Sequence, residues 1–134
     1  MILKGKKIFL VEDDPVNLAI IRVTLQKQGA VVPFDHWGDS TLERLSAQAN
    51  TIDLILLDIM LPGNVTGYDI FDQIKNEDSL KDKPIIAVTA SDPNLEVPKA
   101  RLKGFDGYIS KPINRQRITK DILSVIEGGE IWPD

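Results

Sequence analysis

Three short runs constrain this chain more than any other feature. Ile8 to Val11, Leu54 to Leu57 and Ile85 to Val88 are apolar, mostly branched and uninterrupted. A strand with one face in water alternates apolar and polar residues, whereas a strand covered on both faces does not. The runs therefore predict central strands of a parallel sheet with helices on both sides. Val31–Val32 and Tyr108–Ile109 are weaker candidates for two more strands. The intervening segments have helical spacing. Leu42, Leu45 and Ala49 share one face, and Ile118, Ile122, Val125 and Ile126 share another. Thr66 is placed to cap a helix that buries Ile70, Phe71 and Ile74, and Asn114 to cap the last helix. Gly29 and Gly104 read as helix stops. Pro15 to Gln28 is apolar on more than one side, so pattern alone does not choose its buried face. The order is β-α repeated five times, an α/β doubly wound parallel sheet.

At 134 residues the chain suits one domain with a substantial core. The domain is expected over residues 1–128, with 129–134 as a loose tail. No apolar run approaches the roughly 18 residues needed to span a bilayer, so membrane insertion is not expected. Met1 to Lys7 lacks the features of a secretion signal, and a cytoplasmic location is the default expectation. The chain has no cysteine, which excludes disulfides and thiolate metal sites. A net charge of −4 argues against direct nucleic-acid binding.

In open parallel sheets, ligands bind beyond the carboxyl ends of the strands. The first strand delivers Glu12, Asp13 and Asp14 there, and the third delivers Asp58. The fourth delivers Thr89 and the fifth Lys111. Clustered carboxylates raise one another's pKa unless a cation relieves the repulsion. Lys111 supplies one positive charge, and Mg²⁺ suits the remaining oxygen ligands. An aspartate can attack phosphorus and become an acyl phosphate, and phosphoryl transfer needs mainly alignment and charge neutralisation. Taken singly, each residue has a plainer reading: a solvated turn, a helix cap, a structural threonine, a Lys-Pro turn. Their common placement at one sheet end favours function.

FLVEDDP (Phe9 to Pro15), LILLDIMLPG (Leu54 to Gly63), AVTA (Ala87 to Ala90) and GYISKPI (Gly107 to Ile113) occur in this order. With these motifs the chain resembles the receiver domain of two-component response regulators, from about Lys6 to Glu127. The resemblance implies a flavodoxin-like sheet of strand order 2-1-3-4-5. It implies that Asp58 is the phosphoacceptor and that Glu12, Asp13, Asp58 and the Met60 backbone carbonyl hold Mg²⁺. Asp14, one position later, is not expected to be a ligand. The resemblance makes Thr89 and Lys111 the phosphate-binding pair and Tyr108 the switch aromatic, which turns inward when Thr89 moves toward the phosphate. The Lys111–Pro112 bond is expected to be cis. The implied partners are a sensor histidine kinase or a histidine phosphotransfer protein.

Departures from the pattern carry their own expectations. The stretch from Asp58 to Gly67 is one residue longer than usual, with Asn64, Val65 and Thr66 between Gly63 and Gly67. Pro93 and Pro98 predict a short fourth helix, starting near Pro98 and ending at Gly104. Its Lys99, Arg101 and Lys103 read as a solvated face. Met60 and Ser91 are neither acidic nor amide-bearing, which predicts slow autodephosphorylation. His36 reads as a surface residue. A dehalogenase-class hydrolase would need a second aspartate where Met60 stands, and a dinucleotide-binding half-domain would need a glycine-rich turn where the acidic run lies. The alternative function is a degenerate receiver that docks partners without phosphorylation.

Overall fold

The computed structural model describes residues 1–60 and 65–133. Its elements, in order, are β1 (Ile8–Val11), α1 (Pro15–Gln26), β2 (Phe34–Asp35), α2 (Thr41–Ala47) and β3 (Leu54–Leu57). They continue with α3 (Gly67–Lys75), β4 (Ile85–Thr89), α4 (Pro93–Lys103), β5 (Gly107–Ser110) and α5 (Ile118–Ile126). All strands of the sheet are parallel, in the order β2-β1-β3-β4-β5. This is the flavodoxin-like arrangement that the family resemblance implied.

Period-two geometry explains why the central strands are apolar throughout. Phe9, Val11, Ile55, Leu57, Ile85 and Ala87 point to one side and pack with Leu45, Ile70, Phe71 and Ala100 from α2, α3 and α4. Ile8, Leu10, Leu54, Leu56, Ile86 and Val88 point to the other, onto Ile21 and Leu25 of α1 and Ile118, Ile122 and Val125 of α5. The buried face of α1, which the pattern left open, is thus the Ile21–Leu25 side. Each such buried aliphatic side chain contributes about 1.5–3 kcal/mol.

Helix ends follow local chemistry. Thr66 caps α3 as expected, with Asp69 returning the bond to the Thr66 backbone N–H in a capping box. Gly104 ends α4 at φ +112, a left-handed conformation that favours glycine. Asp14 caps α1 by accepting from the Val16 N–H, which accounts for the third acid of the run.

Four expectations need correction. The second strand is Phe34–Asp35 rather than Val31–Val32. Val31 makes only an isolated bridge to Lys7, and the Pro33 ring, lacking an N–H, interrupts the ladder between them. Asn114 does not cap α5 directly: its Oδ1 accepts from the Gln116 and Arg117 N–H groups, holding a turn from which α5 starts at Ile118. The fourth helix is not short. Asp92 caps it, Pro93 occupies the first turn, and the helix runs through Pro98. Pro98 removes one N–H whose partner would be the carbonyl of Asn94, an exposed residue where water can take the bond.

The fourth correction concerns the tail. Ile131 lies parallel to β5, accepting from the Tyr108 N–H at 3.0 Å and donating to the Asp106 carbonyl at 3.2 Å. Ile131 and Trp132 pack against opposite core clusters. Ile131 therefore covers the outer edge of β5 at its start, beside Gly107. The lengthened loop after Asp58 falls mostly at 61–64, outside the described residues.

Candidate functional site

Sheet register gathers the chemically active residues. Val11 pairs with Leu57, and Thr89 with Ser110, so Glu12, Asp58 and Lys111 all leave the sheet at one end. The last rungs hold their backbones: the Asp58 N–H donates to Val11, and the Lys111 N–H to Thr89. Gly67 permits a second constraint. A Cβ there would lie 2.5 Å from the Ile59 Cα and 2.9 Å from the Asp58 carbonyl oxygen. Only glycine lets the start of α3 approach the segment after Asp58 so closely.

Asp58 is buried, with its carboxylate held on both sides. Oδ1 accepts from the Met60 N–H at 2.8 Å, and Oδ2 lies 2.9 Å from the Lys111 Nζ. Lys111 also reaches Glu12, 2.6 Å from Oε1. That contact is an ion pair without hydrogen-bond alignment, so Oε1 has no hydrogen-bond donor. Burial, reinforced by the neighbouring Asp58, pushes the Glu12 carboxyl up to about 7 against the pull of Lys111. Burial disfavours the Lys111 ammonium, yet the adjoining Glu12 and Asp58 carboxylates outweigh this and hold it above the ordinary lysine value. The Lys111–Pro112 bond is cis, as expected.

Asp13 is placed differently. Its side chain is exposed, while its N–H donates to Glu12 Oε2. Among the described residues, no three His, Cys, Asp or Glu side chains are gathered as a ready metal cluster. The charges nevertheless fit a cation: buried Glu12 and Asp58 share one ammonium, exposed Asp13 adds a third carboxylate next in the chain, and Glu12 Oε1 has no hydrogen-bond donor.

Thr89 is fully buried, with its hydroxyl donating to Ser91 Oγ and accepting from the Ser91 N–H. Tyr108 is 3% exposed, and its hydroxyl donates to the Ser91 carbonyl. The aromatic ring is therefore already inward. Ser91 links the two residues, a connection that spacing alone does not reveal. Burial raises the Tyr108 phenol to about 12, with Glu96 adding to the effect.

Outside this end, two of the three α4 cations have partners: Lys103 pairs with Asp72 at 2.8 Å, and Arg101 lies over the Trp132 ring, while Lys99 is exposed as expected. His36 is exposed, as expected. No helix among the described residues is long and apolar enough to cross a membrane.

Comparison with known proteins agrees with this geometry. Residues 8–123 match the family described as response regulator receiver domain. The polar-differentiation response regulator DivK of Brucella anthropi is 33% identical over 121 residues, covering 90% of this chain and 96% of that protein. The transcriptional regulatory protein AfsQ1 of Streptomyces coelicolor is 32% identical over 123 residues, covering 92% of this chain and 52% of that protein. Among solved structures, the receiver domain of sensor histidine kinase PA1611 from Pseudomonas aeruginosa, with magnesium coordinated in its active-site cleft, aligns at a TM-score of 0.74 and 28% identity. That alignment covers 92% of this chain and 99% of the other. By family match, relatives and fold together, the chain belongs to the response regulator receiver domains of two-component signalling.

Proposed function

We propose that Asp58 accepts a phosphoryl group from a phosphohistidine, carried by a sensor histidine kinase or a histidine phosphotransfer protein. The observation that carries this reading is the fixed Asp58 carboxylate, gripped by the Met60 N–H and the Lys111 ammonium at the open end of the sheet. An Asp58 oxygen attacks phosphorus, the phosphorus–nitrogen bond breaks, and its electron pair returns to the donor imidazole. Lys111 is positioned to neutralise charge on the phosphoryl oxygens. Thr89 would exchange its bond to Ser91 for one to the phosphoryl group, and Tyr108, joined to the same Ser91, would report that exchange.

Glu12, Asp13, Asp58 and the Met60 carbonyl are the groups that would hold Mg²⁺, whose charge would offset the carboxylates and the incoming phosphoryl oxygens. A cytoplasmic location belongs to the same reading. The outer face of α1 supports a protein donor. Val16, Ala19, Ile20 and Val23 form a helical stripe that leaves Val16 65% and Val23 51% exposed, immediately after the acidic turn.

Intact mass after incubation with Mg²⁺ and acetyl phosphate tests the proposal. The wild type is expected to gain one phosphoryl group that hydroxylamine removes, and Asp58→Asn to gain none. Equal gain by both proteins would place the chemistry elsewhere. If neither gains with a small donor or with a phosphohistidine protein, the docking-module reading takes its place.

A further inference from the structure

The segment after α5 makes contacts that the phosphoacceptor reading does not require. Ile131 supplies a parallel partner to β5, bonding the Asp106 carbonyl and the Tyr108 N–H on either side of Gly107. An open strand edge is a site where another chain can add, and here Ile131 of the chain's own tail occupies the first part of it. Trp132 packs against the core cluster that contains Tyr108, and the Arg101 guanidinium of α4 lies 4.8 Å from the centre of its indole ring. Pro133 borders the same crevice as Pro93 and Pro98 of α4. The segment thus crosses from the end of α5, over β5, to α4.

Its course matters because of what lies beneath it. A cavity of about 360 Å³ is bounded by Tyr108 and Ser110 of β5, by Arg117 and Asp121, and by Ile131, Trp132 and Pro133 of the tail. Tyr108 is 3% exposed, and Trp132 of the tail packs on the core cluster to which Tyr108 belongs.

We propose that residues 130–133 form an intramolecular strap that keeps the Tyr108 face of the domain covered, so that a partner reads this face only after the strap lifts. The consequence for signalling rests on the reading of Asp58 and Tyr108 given above. The covering itself does not, and it is measurable without phosphorylation.

Gly107 offers a selective way to lift the strap. The three atoms nearest to a Cβ built there all belong to Ile131, at 2.5, 2.9 and 3.3 Å. Gly107→Ala should therefore expel the strap while leaving the rest of the strand undisturbed. Ile131→Asp reaches the same end from the other side, by placing a charge where an apolar side chain packs.

The chain has two tyrosines, so fluorotyrosine labelling gives two ¹⁹F resonances, assigned with Tyr68→Phe. Full-length wild type, Gly107→Ala and Ile131→Asp would be compared in the presence of a soluble paramagnet, with amide exchange at Tyr108 and Ile131 reporting strap release. The expected result is a sharp, protected Tyr108 signal in the wild type. In both variants, broadening of that signal should accompany loss of amide protection. Tyr68, half-buried on α3, serves as the internal reference. The proposal is overturned if wild-type Tyr108 broadens as much as Tyr68. It is equally overturned if the two amides lose protection while the Tyr108 signal stays sharp. Addition of beryllofluoride then separates the two readings. If Tyr108 is uncovered in the variants but no signal responds to this phosphoryl mimic, the strap stands and the Asp58 reading fails.

Discussion

Lys111→Met is expected to destabilise the protein by about 3 kcal/mol at pH 8 in magnesium-free buffer. The side chain is 10% exposed and is the cation within reach of both buried carboxylates, 2.6 Å from Glu12 and 2.9 Å from Asp58. Methionine keeps an unbranched stem but leaves two carboxylates facing each other without compensation. The loss should shrink as pH falls, because protonating Glu12 removes one of the two charges. Urea unfolding at pH 8 and pH 5.5 measures both effects. The same variant should accept phosphoryl groups about 100-fold more slowly, since it loses an aligned charge donor at the reacting carboxylate. A variant as stable as the wild type at pH 8 would mean that solvent, rather than Lys111, neutralises the pair.

Glu12→Gln should change stability in the opposite direction. Burial and Asp58 raise the Glu12 carboxyl to about 7, above its unfolded value near 4.5. For an acid this sign means that the folded state disfavours the charged form. The resulting penalty is absent below the unfolded pKa, grows between about 4.5 and 7, and is complete above 7. Glutamine carries no such penalty. In magnesium-free buffer at pH 8 the variant should exceed the wild type by up to about 3 kcal/mol, with the difference fading toward pH 4.5. Magnesium should reverse the order: the wild type gains stability from the ion, and the variant, short of one carboxylate ligand, gains less. Thermal unfolding across pH, with and without Mg²⁺, reads both. A difference that does not vary with pH would place the Glu12 charge outside the balance.

The central strands and the site were legible because each has a physical signature in local sequence. Strands buried on both faces must be continuously apolar, and a parallel sheet must present its strand ends together. Three strong runs, one weaker candidate at Tyr108–Ile109 and four strand endings therefore sufficed to gather Asp58, Lys111 and Glu12 at one sheet end, where they meet. The capping box at Thr66 was equally local. What escaped the reading depends on context. The edge strand β2 is two residues long and half-exposed, so no apolar run marks it. Pro98 reads as a break, yet it sits in a helix already started by Asp92 and Pro93, on an exposed side where the missing bond is easily replaced by water. Asp13 follows Glu12 directly, but adjacent residues point apart, and its side chain faces outward. Residues 129–133 look like a tail because they are few and begin at the Gly128–Gly129 pair. Ile131 and Trp132 were the available signals, two large apolar residues with no reason to stand in solvent.

The residue that receives the phosphoryl group can be identified chemically. Borohydride reduces an acyl phosphate of aspartate to homoserine, which marks the modified residue permanently. After incubation with Mg²⁺ and a phosphorylated histidine donor, reduction and peptide mapping should find homoserine at position 58. Intact carboxylates at Asp13 and Asp14 should accompany it. Homoserine at Asp13 or Asp14 with Asp58 unchanged would contradict the account.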